Sequence, residues 1–308
     1  MAETRPRVWV SQPLFDDVIE QLGQHVELAM THEVTRYTPA MLAQQLAQVD
    51  GALITLNERI GAAEIANAPQ LRAIANVGVG YNNLDVGALS AAGILASNTP
   101  DVLTETTADL GFALLMATAR RITESERWLR DGQWGQWSFQ TMLGADIHGS
   151  TLGILGMGRI GQGIARRGAL GFGMRVLYHN RSRLPEATEA EVGAQYVELD
   201  TLLAQADHLV LVLPYSPSSH HIIDAAALAK MKPTATLVNI ARGGIVDELA
   251  LADALANGRL AAAGLDVFEG EPTVRPELLA LRNIVLTPHI GSASQATRRA
   301  MVQLAVDN

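Results

Sequence analysis

"TLGILGMGRIGQGIARR", residues 151–167, is the stretch that decides the fold. TLGIL is short and apolar enough for a strand, and RIGQGIARR has the spacing of an opening helix. Between them come Gly156-Met157-Gly158, with Gly161 three residues on. Glycine at these places lets the backbone turn tightly and approach a pyrophosphate, whose charge then rests on the helix N-terminus. Alone the pattern is weak. Here it has the strand before it, the helix after it and a second strand, "MRVLYHN" (174–180), at the distance a dinucleotide-binding unit requires.

Working outward, "HLVLVLP" (208–214), "ATLVNIA" (235–241), "AAAGLDVF" (261–268) and "NIVLTPH" (283–289) are further strands, near-continuous apolar runs of the kind buried on both faces. An earlier series has the same alternation. "RVWV" (7–10), "GALIT" (51–55), "LRAIANV" (71–77) and "GILAS" (93–97) read as strands, with helices over 14–23 and 39–49. Alternating strands and helices give parallel sheets with helices on their faces. The stretch 104–132 has few breakers and is expected to be one long helix joining two doubly wound domains.

The 308 residues are 48% hydrophobic and carry a net charge of −9, which disfavours nucleic acid or an anionic membrane as a partner. Local exceptions are Arg166–Arg167 and Arg181–Arg183. Cysteine is absent, which excludes disulfides, thiolate catalysis and cysteine metal sites. With no signal-peptide pattern and no apolar run long enough to span a bilayer, a cytoplasmic location is expected. The last helix, opening at "SQATRR", stops at Asn308 without a cap, as though shortened there.

Two sites emerge from the residues. At the end of the strand after the glycine loop stand Asn180, Arg181, Ser182 and Arg183, where an NAD-preferring protein usually carries a carboxylate for the ribose hydroxyls. Two guanidiniums and no carboxylate favour the 2′-phosphate of NADPH, with NADH the weaker alternative. Arg242, Glu271 and His289 lie at or near three later strand ends, the side of an open parallel sheet where ligands bind. Together they fit hydride transfer to a 2-oxo acid. His289 would protonate the carbonyl oxygen, a buried Glu271 would raise its pKa and fix its tautomer, and Arg242 would hold the substrate carboxylate and polarise the carbonyl. The glycines after Arg242 would let the backbone pass close to the ligand, and "VDE" would open the next helix.

The motifs "GILGMGRIG", "NIARGGIVDE", "GLDVFEGEP" and "LTPHIGSAS", with "VGVGYNNLDV" and "SNTPDVLTETTADLGFALLMATARR", resemble those of the D-isomer-specific 2-hydroxyacid dehydrogenase family over nearly the whole chain. Within it the chain is similar to the 2-ketogluconate reductase and glyoxylate/hydroxypyruvate reductase group. The resemblance implies an α/β fold of two doubly wound parallel-sheet domains. A discontinuous flavodoxin-like substrate domain would cover 1–100 and 288–308, and a Rossmann cofactor domain 101–287. It implies Arg242, Glu271 and His289 as the catalytic set, with Val79 and Gly80 offering N–H groups to the substrate carboxylate and Ser292 touching the substrate. Arg159 and Ile160 would meet the pyrophosphate, and Leu213, Pro214 and Ser219 would border the adenosine. Ile240, Ala241 and Asp266 would face the nicotinamide side together with Arg242, and Thr107 would approach it. For Asp266 a structural cap, and for Thr107 ordinary helix packing, are the competing readings.

The aromatic segment 131–149, with Trp134, Trp137 and Phe139, would be part of an arm exchanged in a homodimer. The activity implied is NADPH-dependent reduction of a small 2-oxo acid to the D-2-hydroxy acid, with 2-ketogluconate first and glyoxylate or hydroxypyruvate as the alternative. A more distant alternative is an NAD(H)-sensing binding protein similar to the family's corepressors, which keep the same three residues.

Overall fold

The computed structural model describes residues 5–308. The chain forms two compact units: residues up to Leu103 together with Ala293–Asn308, and Thr104–Ser292. In chain order the elements begin with β1 (Arg7–Val10), α1 (Asp16–Gly23), β2 (Glu27–Met30), α2 (Pro39–Leu46), β3 (Gly51–Ile54), α3 (Ala62–Ile65), β4 (Ala73–Asn76), α4 (Val86–Ala91) and β5 (Leu95–Ser97). Next come α5 (Thr104–Ala119), α6 (Ile122–Arg130), β6 (Thr151–Leu155), α7 (Arg159–Arg166), β7 (Arg175–His179), α8 (Glu186–Ala190), β8 (Gln195–Tyr196), α9 (Leu199–Gln205) and β9 (His208–Leu211). The chain closes with α10 (Ala225–Lys230), β10 (Thr236–Asn239), α11 (Glu248–Ala256), β11 (Ala262–Leu265), α12 (Pro276–Leu279), β12 (Ile284–Leu286) and α13 (Gln295–Asp307).

Among the described residues the first unit holds a five-stranded parallel sheet in the order β2-β1-β3-β4-β5. Successive strand residues face opposite ways, so the sheet needs cover on both sides. Trp9 and Ile54 join Leu42, Leu46 and Leu89 on one face, whereas Val10 and Leu53 join Val18, Ile19, Val302 and Ala305 on the other. The last pair comes from α13, which is capped by the Ser294 side chain and paired to α1 through Arg299 and Asp17. The helix ending at Asn308 therefore packs into this unit. β2 had no clear sequence signal: it is an edge strand, half-exposed along its length, so ELAM lacks the apolar run that marks the buried strands.

The second unit holds seven parallel strands among the described residues, in the order β12-β11-β10-β9-β6-β7-β8. Strand order reverses direction at β6, between β7 and β9, and ligands of open α/β sheets bind at such a switch point. The long helix expected over 104–132 is two helices. Arg121 takes φ +53°, and its guanidinium bonds Glu124 and the Leu143 carbonyl, tertiary partners that reward the break. α5 packs on β10, β11 and α7 as part of this unit. Arg166 and Arg167 are no basic patch: they pair with Glu105 and Asp109 of α5. No helix among the described residues is long and apolar enough to cross a membrane.

Candidate active site

The glycine loop links β6 to α7 at the switch point. Gly156 has φ +103°, and a Cβ there would lie 2.7 Å from the Leu213 nitrogen, so only glycine lets this turn pack on the chain leaving β9. A Cβ on Gly161 would lie 2.4 Å from the Gly156 carbonyl oxygen, which is what lets α7 start so close to the turn. Gly158 is different: a Cβ there meets nothing within 4 Å. It is the N-cap of α7, whose first turn carries Arg159 and Ile160 and no acidic residue. Open space over backbone N–H groups at a helix N-terminus suits a pyrophosphate in charge and in shape.

The loop after β7 is tied down in two places. The Asn180 side-chain oxygen accepts from the Met157 N–H at 2.7 Å, fixing the strand end to the glycine loop. Arg183 makes two bonds to the buried Glu189, 2.9 and 2.7 Å, and Tyr178 donates to the same carboxylate at 2.6 Å while accepting from Leu184 N–H. The Arg183 and Tyr178 bonds hold the Glu189 carboxyl at about 2. Burial, with that anion beside it, pushes the Tyr178 hydroxyl up to about 12. Arg183 is thus committed to Glu189, whereas exposed Arg181 makes no hydrogen bond or ion pair among the described residues. The two guanidiniums expected to share a 2′-phosphate have different surroundings, and Arg181 with Ser182 is the pair left facing solvent.

On the other side of the switch point, Leu213 and Pro214 follow β9. Ser219 is buried and accepts from Ser216 N–H at 2.8 Å while donating to the Pro214 carbonyl, so its hydroxyl shapes the 214–219 turn. Ile240 and Ala241 are buried at the end of β10, and Asn239 locks the turn that follows. Its side chain accepts from Ala241 N–H at 3.0 Å and donates to the Arg242 carbonyl at 2.9 Å. Arg242 donates from Nη1 to the Ala241 carbonyl at 2.7 Å. Burial lowers its pKa, with the charge of Glu271 opposing the shift. The following glycine meets protein rather than open space: a Cβ on Gly243 would sit 1.9 Å from the Phe268 carbonyl carbon. Glycine there lets the Arg242 loop lie on the Phe268–Glu269 backbone. Asp247 then caps α11 by accepting from Leu249 and Ala250 N–H.

Glu271 and His289 meet. His289 Nδ1 lies 2.8 Å from Glu271 Oε2, and because an ionised carboxylate only accepts, Nδ1 is the donor and Nε2 is turned to other use. Glu271 is not buried as expected; its side chain is 34% exposed, since both loops sit at the open ends of strands. Burial still pushes its carboxyl up, but the His289 bond and charge, the Phe268 N–H and Arg242 together bring it below the ordinary value. His289 has φ +51°, an uncommon conformation for a non-glycine residue, and its surroundings impose it. Asp266, 1% exposed, accepts from Thr287 Oγ1, Ile290 N–H and Gly291 N–H at 2.7 to 2.8 Å. Its carboxylate is the anchor of the His289 loop. Burial raises its pKa against the pull of those donors. Buried Thr107 of α5 packs beside the same loop at Gly291, and Ser292 ends it, half-buried.

In the first unit, Val79 and Gly80 lie in the loop after β4. The Val79 carbonyl accepts from Asn98 at 2.8 Å and the Gly80 carbonyl from Asn76 at 3.0 Å. With the carbonyls held, the two N–H groups meet no acceptor among the described residues, an arrangement that suits an anion. The residues missed in the sequence are Asn239 and Glu189, and Gly243, expected to let the backbone approach the ligand, instead lets it approach Phe268. Asn239 had a signal, since it is the one side-chain amide in an apolar run; Glu189 sits in an ordinary acidic helix and had none.

Trp134, Trp137 and Phe139 are 54, 64 and 84% exposed, and Trp137 and Phe139 stack edge to face at 4.6 Å. The base of this segment is pinned where Ala145 N–H meets the Ala119 carbonyl and buried His208 donates to the Asp146 carbonyl at 3.1 Å.

Residues 112–291 match the model of the D-isomer specific 2-hydroxyacid dehydrogenase NAD binding domain. Over 308 residues the chain is 44% identical to a glyoxylate reductase of Thermococcus onnurineus, covering 99% of this chain and 92% of that protein. It is also 44% identical to glyoxylate/hydroxypyruvate reductase B of Klebsiella pneumoniae, over 99% of this chain and 94% of the other. Among solved structures, an NADPH-dependent glyoxylate/hydroxypyruvate reductase of Sinorhizobium meliloti in complex with NADP and malonate superposes with a TM-score of 0.86 at 37% identity, covering 99% of this chain and 92% of that one.

Proposed function

The chain belongs to the D-isomer specific 2-hydroxyacid dehydrogenase family, and on that premise we propose that it reduces glyoxylate and hydroxypyruvate to their 2-hydroxy acids with NADPH. Membership makes it an NAD(P)-dependent oxidoreductase; the substrate, the cofactor preference and the residue roles are the proposal. The observation that carries it is the His289–Glu271 pair, 2.8 Å apart, on the same unit as a glycine loop shaped for a dinucleotide.

A bound nicotinamide cofactor supplies the hydride that adds to the substrate's C2. Negative charge then grows on the carbonyl oxygen, and His289 gives that oxygen its proton from Nε2 while Glu271 holds Nδ1 and steadies the charge of the ring. Arg242 binds the substrate carboxylate and draws electron density from the carbonyl. In the first unit, the N–H groups of Val79 and Gly80 are the candidate donors to an anion. Gly158, Arg159 and Ile160 receive the pyrophosphate, and Arg181 with Ser182 receives the 2′-phosphate.

Glyoxylate and hydroxypyruvate replace 2-ketogluconate as the leading substrates because the relatives described above carry the two smaller acids in their names. The exposed Trp134–Phe139 segment supports a homodimer built through it, since apolar side chains clustered at a surface mark an interface. Chiral analysis of the product from hydroxypyruvate tests the reaction. D-glycerate formed with loss of NADPH supports the reading; the L product, or none, defeats it.

A further inference from the structure

A second cluster of ligating side chains, which includes neither His289 nor Glu271, lies in the same unit. His220, His221 and Glu269 bring one ligand atom each within 4.8 Å of one another. We propose that this cluster is a binding site for a divalent cation of the zinc class.

Neighbours in sequence seldom present their side chains to one point. Here the chain takes φ +49° at His221, and the two imidazoles stack at 3.8 Å. His221 Nε2 lies 3.4 Å from Glu269 Oε2. That is long for a charge-assisted hydrogen bond, which runs about 2.7–2.9 Å. It is the spacing of two ligands on one metal, because atoms bound ~2.0–2.2 Å from a tetrahedral zinc stand about 3.3–3.6 Å apart. His220 is exposed, so a small rotation of its ring toward the other two ligands meets no buried packing.

The outer contacts also fit. Ligating histidines hydrogen-bond through their second ring nitrogen, which fixes the tautomer and aims the first. His220 Nδ1 lies 3.2 Å from the Tyr215 hydroxyl, leaving Nε2 as its ligand atom. The Glu269 backbone is fixed by buried Glu248, which accepts from Glu269 N–H at 2.6 Å. Arg275 lies 3.6 Å from Glu269 Oε2 and 3.3 Å from Glu248 Oε2. It competes for the ligand oxygen, so affinity falls below that of a closed four-ligand structural site. Three protein ligands leave a fourth position for water.

The site joins two loops that carry proposed catalytic groups. A Cβ on Gly244, two residues after Arg242, would lie 3.2 Å from His220 Nδ1, and Glu269 stands two residues before Glu271. Bound metal would cross-link these loops and hold them more rigidly.

The test is zinc titration of the chelator-treated full-length protein against a chromogenic zinc indicator. The expected result is one equivalent bound, with affinity at least about tenfold weaker in both His220→Ala and Glu269→Gln and unchanged in His289→Gln. A tenfold loss is modest for one ligand, since even outer-shell changes cost about 10–100-fold. His220 is exposed, so that variant folds, and circular dichroism checks Glu269→Gln. Equal binding by the wild type and both cluster variants overturns the proposal. So does loss of binding in His289→Gln alone, which would put the metal on the His289–Glu271 pair, and so does absence of stoichiometric binding. Binding needs no turnover, so the outcome is independent of the proposed activity.

Discussion

Arg181 and Arg183 stand two positions apart and have different partners. Arg183 pairs with Glu189 and holds the loop, whereas Arg181 faces solvent. Arg181→Ala is therefore predicted to weaken NADPH binding roughly tenfold or more, the cost of about 1.5–3 kcal/mol for a lost bond to a charged group, while NADH binding barely changes. Isothermal titration with each cofactor checks it; equal losses would mean that the phosphate is held elsewhere. His289→Gln should lower kcat by ~10²–10⁴, the usual share of a general acid, and leave NADPH affinity intact. One of the two pairing partners was legible in the sequence and the other was not. Glu271 could be matched to His289 by the motif, but Glu189 is one of several acids in "PEATEAEVG" and only the fold brings it to Tyr178 and Arg183.

At the scale of elements, the two glycine sites should respond differently to a methyl group. Gly243→Ala places a carbon 1.9 Å from the Phe268 carbonyl carbon, and overpacking of this kind costs about 1–3 kcal/mol or more. Gly158→Ala meets open space, so beyond the small cost of alanine at an N-cap it should lower the melting temperature less than Gly243→Ala while weakening cofactor binding. Thermal melts with and without NADPH separate the two. The β7–α8 clamp gives a pH signature. A carboxyl lowered from 4.5 to about 2 contributes stability that is complete above the ordinary value and is lost as pH falls through the lowered one. The stability gap between the protein and Glu189→Gln in urea melts should be constant near neutrality and close as pH drops from 4.5 toward about 2. The buried strands were readable because both faces are apolar; edge strand β2 and two-residue β8 were not. The break at Arg121 left no trace either, since helical spacing continues on both sides and the rewards are contacts with Glu124 and Leu143.

At the scale of the molecule, the order of motifs along the chain carried the family, and with it two parallel-sheet units that the structure contains. Substrate size was beyond the sequence, because a pocket's volume depends on side chains from distant segments. The proposed homodimer rests on surface chemistry: Phe139 is 84% exposed beside Trp137, and light scattering is predicted to find a dimer that Phe139→Asp weakens. The most direct test of the central claim is kcat/KM for glyoxylate, hydroxypyruvate and 2-ketogluconate, each with NADPH and with NADH. The account predicts the highest values for glyoxylate or hydroxypyruvate with NADPH. Higher values for 2-ketogluconate, or for NADH throughout, would contradict it.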